Sequence, residues 1–167
     1  MATQFSKILQ ILAEAEVQFI LIGGAAANVW GSGRLTFDVD VVYARNRANI
    51  QRLVQALAPY KPYLRGAPPG LPFTFDERTV RMGLNFTLVT TLGDLDLLGE
   101  VAGTGTYEQL LPYSSEILFM GLVKCRCATL ERLIQLKRAA GRPKDLEVLA
   151  ELQALLEERR KLESGNP

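Results

Sequence analysis

Residues 20–42 read ILIGGAAANVWGSGRLTFDVDVV, and the fold turns on this stretch. Together with Val17-Gln18-Phe19 its start makes a short, almost wholly apolar run (17–22) that stops at Gly23-Gly24. Such a run fits a strand buried on both faces. AAANVW (25–30) predicts a short helix ended by Gly31-Ser32-Gly33. Asp38 to Tyr43 (DVDVVY) alternates acid with valine and predicts a second strand. The glycine pair thus sits where a buried strand meets a helix.

Working outward, residues 3–16 place Phe5, Ile8, Leu9 and Leu12 at helical spacing, and 47–58 form an amphipathic helix closed by Pro59 and Pro62. Residues 59–72 are rich in proline and predict an irregular surface loop. LNFTLVTTL (84–92) and DLDLL (94–98) predict strands joined near Gly93, TYEQLLPY (106–113) a short helix, and 116–129 two short strands around Gly121. Leu130 to Ala140 is a helix stopped by Gly141; Pro143 opens a last helix to about Leu162. The expected fold is α/β (α+β): a mixed sheet flanked by helices, with a C-terminal helical segment. The expected division is an α/β domain over 1–128, a helix pair packed on it over 129–162, and a disordered tail over 163–167.

Composition narrows the chemistry. The 167 residues are 48% hydrophobic and 22% charged with a net charge of +1, which gives no overall case for a nucleic-acid coat or a membrane surface. The chain has no histidine, so Ser-His-Asp and Cys-His nucleophiles and His-ligated zinc are excluded. Carboxylates, lysines and tyrosines remain, and hard oxygen ligands suit magnesium or manganese. Cys125 and Cys127, one residue apart on a strand, face the same way and cannot complete a zinc site; they are expected to be packed thiols in a reducing compartment. No stretch reaches the length of a membrane span and the N-terminus has no signal-peptide pattern, so a soluble cytoplasmic protein is expected.

Three aspartates carry the chemistry. Asp38 and Asp40 lie two apart on a strand, with Cα atoms about 6.6 Å apart at a rise of about 3.3 Å per residue, so both reach one face. Two like charges beside Val39, Val41 and Val42 repel and lose solvation, and a divalent ion removes both penalties. The competing reading is a solvated strand face. Asp94 and Asp96 share a face of a second strand, opposite Leu95 and Leu97. Carboxylates from two neighbouring strands are what a two-metal phosphoryl-transfer site needs. The helix after Gly23-Gly24 aims free N–H groups at the turn, which suits phosphate, although a plain turn explains a glycine pair equally.

These motifs together resemble the DNA polymerase β-like nucleotidyltransferase superfamily: a Gly-Gly turn, a short helix, an Asp-x-Asp strand and a third Asp on a later strand. RLTFDVDVV (34–42) is similar to the R-x-T-x-D-x-D stretch of small bacterial members. TTLGDLDLLG (90–99) resembles their third-carboxylate strand, and LERLIQLKRAAGRPKDLEVLAEL (130–152) their C-terminal helix pair, including relatives of abortive-infection and toxin–antitoxin nucleotidyltransferases. Residues 59–82 match no part of that pattern. The resemblance implies Asp38 and Asp40 as metal ligands, Asp96 (rather than Asp94) as third ligand and base, and Gly23 and Gly24 at the nucleotide phosphates.

Lys137 falls on the apolar stripe of its helix with Leu130, Leu133 and Ile134. Its stem can cover core while the ammonium reaches water, or the ammonium can meet a triphosphate; the resemblance favours the second. Arg34 and Thr36 flank the carboxylate strand and touch phosphates or cap the turn. The expectation is therefore a Mg²⁺- or Mn²⁺-dependent nucleotidyltransferase that moves a nucleoside monophosphate from an NTP to an acceptor hydroxyl on tRNA, protein or a small molecule. An antitoxin is a candidate partner. The alternative is a catalytically silent nucleotide-binding or antitoxin module.

Overall fold

The computed structural model describes residues 2–165. It opens with α1 (Phe5–Glu14), whose Ile8, Leu9 and Leu12 are buried at helical spacing. Then come β1 (Phe19–Ile22), α2 (Gly23–Val29) and β2 (Asp38–Tyr43), the strand–turn–helix–strand run that the sequence predicts. Next are α3 (Arg47–Leu57), a 3-10 turn at Ala58–Tyr60, β3 (Tyr63–Leu64) and α4 (Glu77–Met82). β4 (Asn85–Thr90) and β5 (Gly93–Leu98) form a hairpin, followed by the small ribbon β6 (Glu100–Val101) and β7 (Gly105–Thr106). α5 (Tyr107–Leu110), a 3-10 turn at Leu111–Tyr113, and the hairpin β8 (Ser114–Phe119) and β9 (Val123–Ala128) lead to α6 (Leu130–Ala140) and α7 (Pro143–Glu163).

Seven strands make one mixed sheet in the order β3-β4-β5-β2-β1-β9-β8. The pairs β2·β5 and β1·β9 are parallel and the others antiparallel. Its register decides the site. Val39 pairs Leu95 and Val41 pairs Leu97, and these four are fully buried on one face. Side chains alternate along a strand, so the paired rows Asp38–Asp94 and Asp40–Asp96 fall together on the opposite face.

Residues 59–72 are not wholly the irregular loop predicted there, and the stretch 59–82 that matches no part of the family pattern is structured. It contains a 3-10 turn, an edge strand and a helix. β3 is only two residues long and takes its pairing from β4, while Asp76 caps α4 by accepting from Thr79 N–H at 2.8 Å. The 106–113 helix breaks at Leu111 into a 3-10 turn after a capping box of Thr106 and Gln109. α7 runs through Glu163, its last turn carrying Arg160 and Lys161, which favour a helix C-terminus. Residues 166 and 167 of the expected tail lie outside the described residues.

The helix pair shares the core of the sheet: Leu130, Leu133, Ile134 and Leu152 join the same buried cluster as the strands. Trp30 pins this junction. Its indole N–H donates to Ala128 O (2.9 Å), and the Arg159 guanidinium of α7 lies 4.7 Å from the ring centre. Cys125 and Cys127 are free thiols buried on β9. Burial pushes them up to about 11 and about 12, so they are unreactive near neutrality.

Candidate active site

Asp38, Asp40 and Asp96 each offer a carboxylate oxygen within 4.8 Å of the other two. Parallel pairing of β2 with β5 causes this: Asp40 sits directly across from Asp96, one strand spacing away. Burial, then the charges of Asp38 and Asp96, push the Asp40 carboxyl up to about 8. Burial and the neighbouring Asp96 raise Asp38 as well. Negative charge is thus packed here beyond what the surrounding groups offset. A hard divalent cation fits this donor set: oxygen ligands only, half-buried, converging from two rigid strands.

Gly23 explains why the turn must be glycine. Its φ is +71°, and a Cβ there would overlap Asp40 Oδ2. A Cβ at Gly24 would come within 2.7 Å of Thr36 Oγ1. The pair therefore lets the start of α2 lie directly against β2 and the segment before it. A cleft of about 690 Å³ opens here, lined among others by Gly23, Gly24, Thr36, Asp38, Lys137 and Arg142. That volume is in the range of small-molecule and cofactor sites.

The remaining expected residues divide. Lys137 lines the cleft. Burial and the neighbouring carboxylates raise Asp40 by more than the Lys137 charge lowers it. Lys137 Nζ is also 3.4 Å from Asp145 Oδ1. Arg34 lines the cleft, but its Nε is committed to Glu151 of α7 at 2.7 Å. Thr36 packs on Gly24. Asp94, set aside in favour of Asp96, lies on the same face but outside the triad, 3.3 Å from Arg65 Nε.

Two residues escaped the sequence reading. Asp145, two residues after the Pro143 that opens α7, has the sequence position of an ordinary helix-start residue, and it does accept from Arg142 N–H (3.1 Å). It is also 2% exposed and gathers Lys137 and Arg142 around one carboxylate. Its pairing with Arg142 holds the carboxyl below the usual range. Arg65 stands at the end of β3, with Nη2 2.8 Å from Asp96 Oδ1. No local pattern marks it. Only the register Arg65–Thr87–Asp96 across β4 and β5 brings it to the site.

No protein-family model matches the chain, and no curated protein matches it. Solved structures do. A proposed nucleotidyltransferase from Thermotoga maritima is 14% identical with a TM-score of 0.57, over 90% of this chain and 90% of that one. The lincosamide antibiotic adenylyltransferase LnuA, bound to lincomycin, is 16% identical with a TM-score of 0.60, over 92% of this chain and 98% of that one. The likeness is one of fold: this chain has the nucleotidyltransferase architecture.

Proposed function

We propose that the chain is a metal-dependent nucleotidyltransferase that moves a nucleoside monophosphate from an NTP to an acceptor hydroxyl and releases pyrophosphate. The observation that carries this is the triad Asp38, Asp40 and Asp96, whose Asp38 lines a cleft together with Gly23, Gly24 and Lys137. Magnesium or manganese held by the triad would neutralise phosphate charge and make the attacking hydroxyl more acidic. The protein's own groups do the positioning. Gly23 and Gly24 let the start of α2 lie against the acidic strand at the wall of the cleft, and Lys137 meets the triphosphate as a cation. The acceptor oxygen bonds to the α-phosphorus, the bond to the β-phosphate oxygen breaks, and Asp96 takes the hydroxyl proton.

The net charge of +1 gives no electrostatic support for a long nucleic-acid acceptor. LnuA, whose name specifies a lincosamide antibiotic, matches over nearly its whole length. A small hydroxylated molecule is therefore the acceptor class to test before tRNA or protein. A second reading, a silent nucleotide-binding or antitoxin module, draws on the guanidinium of Arg65 already bonded to Asp96.

Thermal denaturation with Mg²⁺ and each of the four NTPs, in the wild type and in Asp38→Ala/Asp40→Ala, tests the proposal. Ligand at about a hundred times Kd should stabilise by about 2.7 kcal/mol, a rise of several degrees for a domain of this size. A rise in the wild type that the double variant lacks supports the site and names the nucleotide. Pyrophosphate release with an acceptor panel then separates an enzyme from a silent binder. No rise with any nucleotide, with or without acceptors, rejects the proposal.

A further inference from the structure

Arg65 stands where an incoming cation would have to go. Its backbone N–H donates to Thr87 O (3.0 Å), which continues the row Thr87–Asp96–Asp40 one position beyond β4. From there the side chain reaches over the sheet. Nη2 is 2.8 Å from Asp96 Oδ1, Nε 3.3 Å from Asp94 Oδ2 and Nη1 3.8 Å from Asp38 Oδ2. One guanidinium therefore serves three carboxylates, two of them members of the triad.

The grip is incomplete. A guanidinium has five donor hydrogens, yet only Nη2 makes hydrogen bonds, to Asp96 and to Leu88 O (2.7 Å). Nε is buried without a hydrogen-bond partner, and Nη1 is too far from Asp38 to make one. The support beneath it is slight. β3 is a two-residue edge strand, and Gly66 (φ +78°) follows Arg65 directly. Charge holds Arg65 on this face more than geometry does.

We propose that Arg65 is a resident counter-cation that closes the acidic site without a divalent ion and gives up Asp96 when that ion enters. This rests on the metal-site reading above. Asp96 Oδ1 cannot serve a guanidinium and an ion in the same place, so the two equilibria are linked. By reciprocity, metal binding weakens the Arg65 contact by the factor by which that contact weakens metal binding. The segment following β3 then responds to the state of the site, because Arg65 is its only ion-paired tie to β5 among the described residues.

Mn²⁺ titration of the full chain, read from the free-ion EPR signal, tests this in the wild type, Arg65→Gln, Arg65→Lys and Asp40→Ala. Arg65→Gln should bind Mn²⁺ about tenfold tighter than the wild type. Arg65→Lys, which keeps the charge but loses the planar fork, should fall between them. Hydrogen exchange of the amides of residues 63–67 should quicken in wild-type protein saturated with Mn²⁺, a change that charge alone acting through space would not produce. Equal or weaker Mn²⁺ binding in both Arg65 variants, or unchanged exchange at 63–67, overturns the proposal. If Asp40→Ala abolishes binding while the Arg65 variants match the wild type, only the role of Arg65 fails. Binding that survives in Asp40→Ala, or that is absent throughout, removes the metal site and the Arg65 proposal together.

Discussion

Gly23 and Asp40 occupy adjoining space, so that any side chain at Gly23 would overlap the Asp40 carboxylate. Gly23 also has a φ of +71°, a backbone conformation that costs an L-residue about 1–2 kcal/mol. Gly23→Ala should therefore lower the melting temperature by several degrees. It should also move Asp40 out of the triad and reduce turnover by roughly a hundredfold, the scale of an ångström of misplacement. Gly33→Ala, where a Cβ meets nothing within 4 Å, is the control. Equal loss in both variants would contradict a steric role for Gly23.

The pH dependence of metal-free stability follows from Asp40. Its carboxyl is raised from 3.8 to about 8, so the native state keeps a proton that the unfolded chain gives up above pH 4. Stability in EDTA should then fall as pH rises from about 4 to about 8 and level off beyond, by several kcal/mol at most. Asp38, also raised, acts in the same direction. Metal affinity should climb over the same interval, because the ion displaces the proton. Urea denaturation of wild type and Asp40→Asn at pH 5, 6.5 and 8 checks the sign. A wild-type curve that rises through this range, or one as flat as the variant's, would refute it.

Asp145 contributes in the opposite sense. Its carboxyl is held low by Arg142, so its stabilising effect is present above pH 4 and is lost as pH falls through the depressed value. Asp145→Asn should cost about 1.5–3 kcal/mol in urea denaturation at pH 7, the range for hydrogen bonds to a charged group. Because it releases Lys137, it should also alter the KM for the nucleotide more than kcat.

Arg34 and Glu151 make a half-exposed pair, on the scale of about 0–1 kcal/mol for pairs that water still reaches. If Arg34 only braces α7, Arg34→Gln and Glu151→Gln should change nucleotide affinity equally. If it also contacts phosphate, Arg34→Gln should weaken binding by about tenfold more than Glu151→Gln does. Nucleotide titration of the two single variants and the double variant decides.

Much of this was legible because it is local. The bounds of β2 follow from the alternation of DVDVVY, and those of α6 from its apolar spacing and Gly141. Each pair of acids, Asp38 with Asp40 and Asp94 with Asp96, could be placed on one face of its strand from period-two geometry, while their meeting rests on the parallel pairing of β2 with β5. Arg65 could not, since its nearness to Asp96 depends on the pairing of β3 with β4 and of β4 with β5, which no spacing along the chain encodes. Asp145 escapes a reading of the sequence for a related reason. A capping residue and a buried ion-pair centre look alike until α6 and α7 are docked.

Trp30 is the sole tryptophan of the chain, and it sits at the C-terminal end of the helix whose first residues border the acidic triad. A cation from α7 lies over its ring and a carbonyl from the end of β9 accepts its N–H. Its emission therefore arises from a single indole whose surroundings belong to three elements at once. Any rearrangement that slides α2 or lifts α7 changes both the cation over the ring and the polarity at the N–H. The protein carries its own optical reporter of the packing between α2, β9 and α7, so a shift at that junction on ligand addition can be followed in real time without attaching a dye.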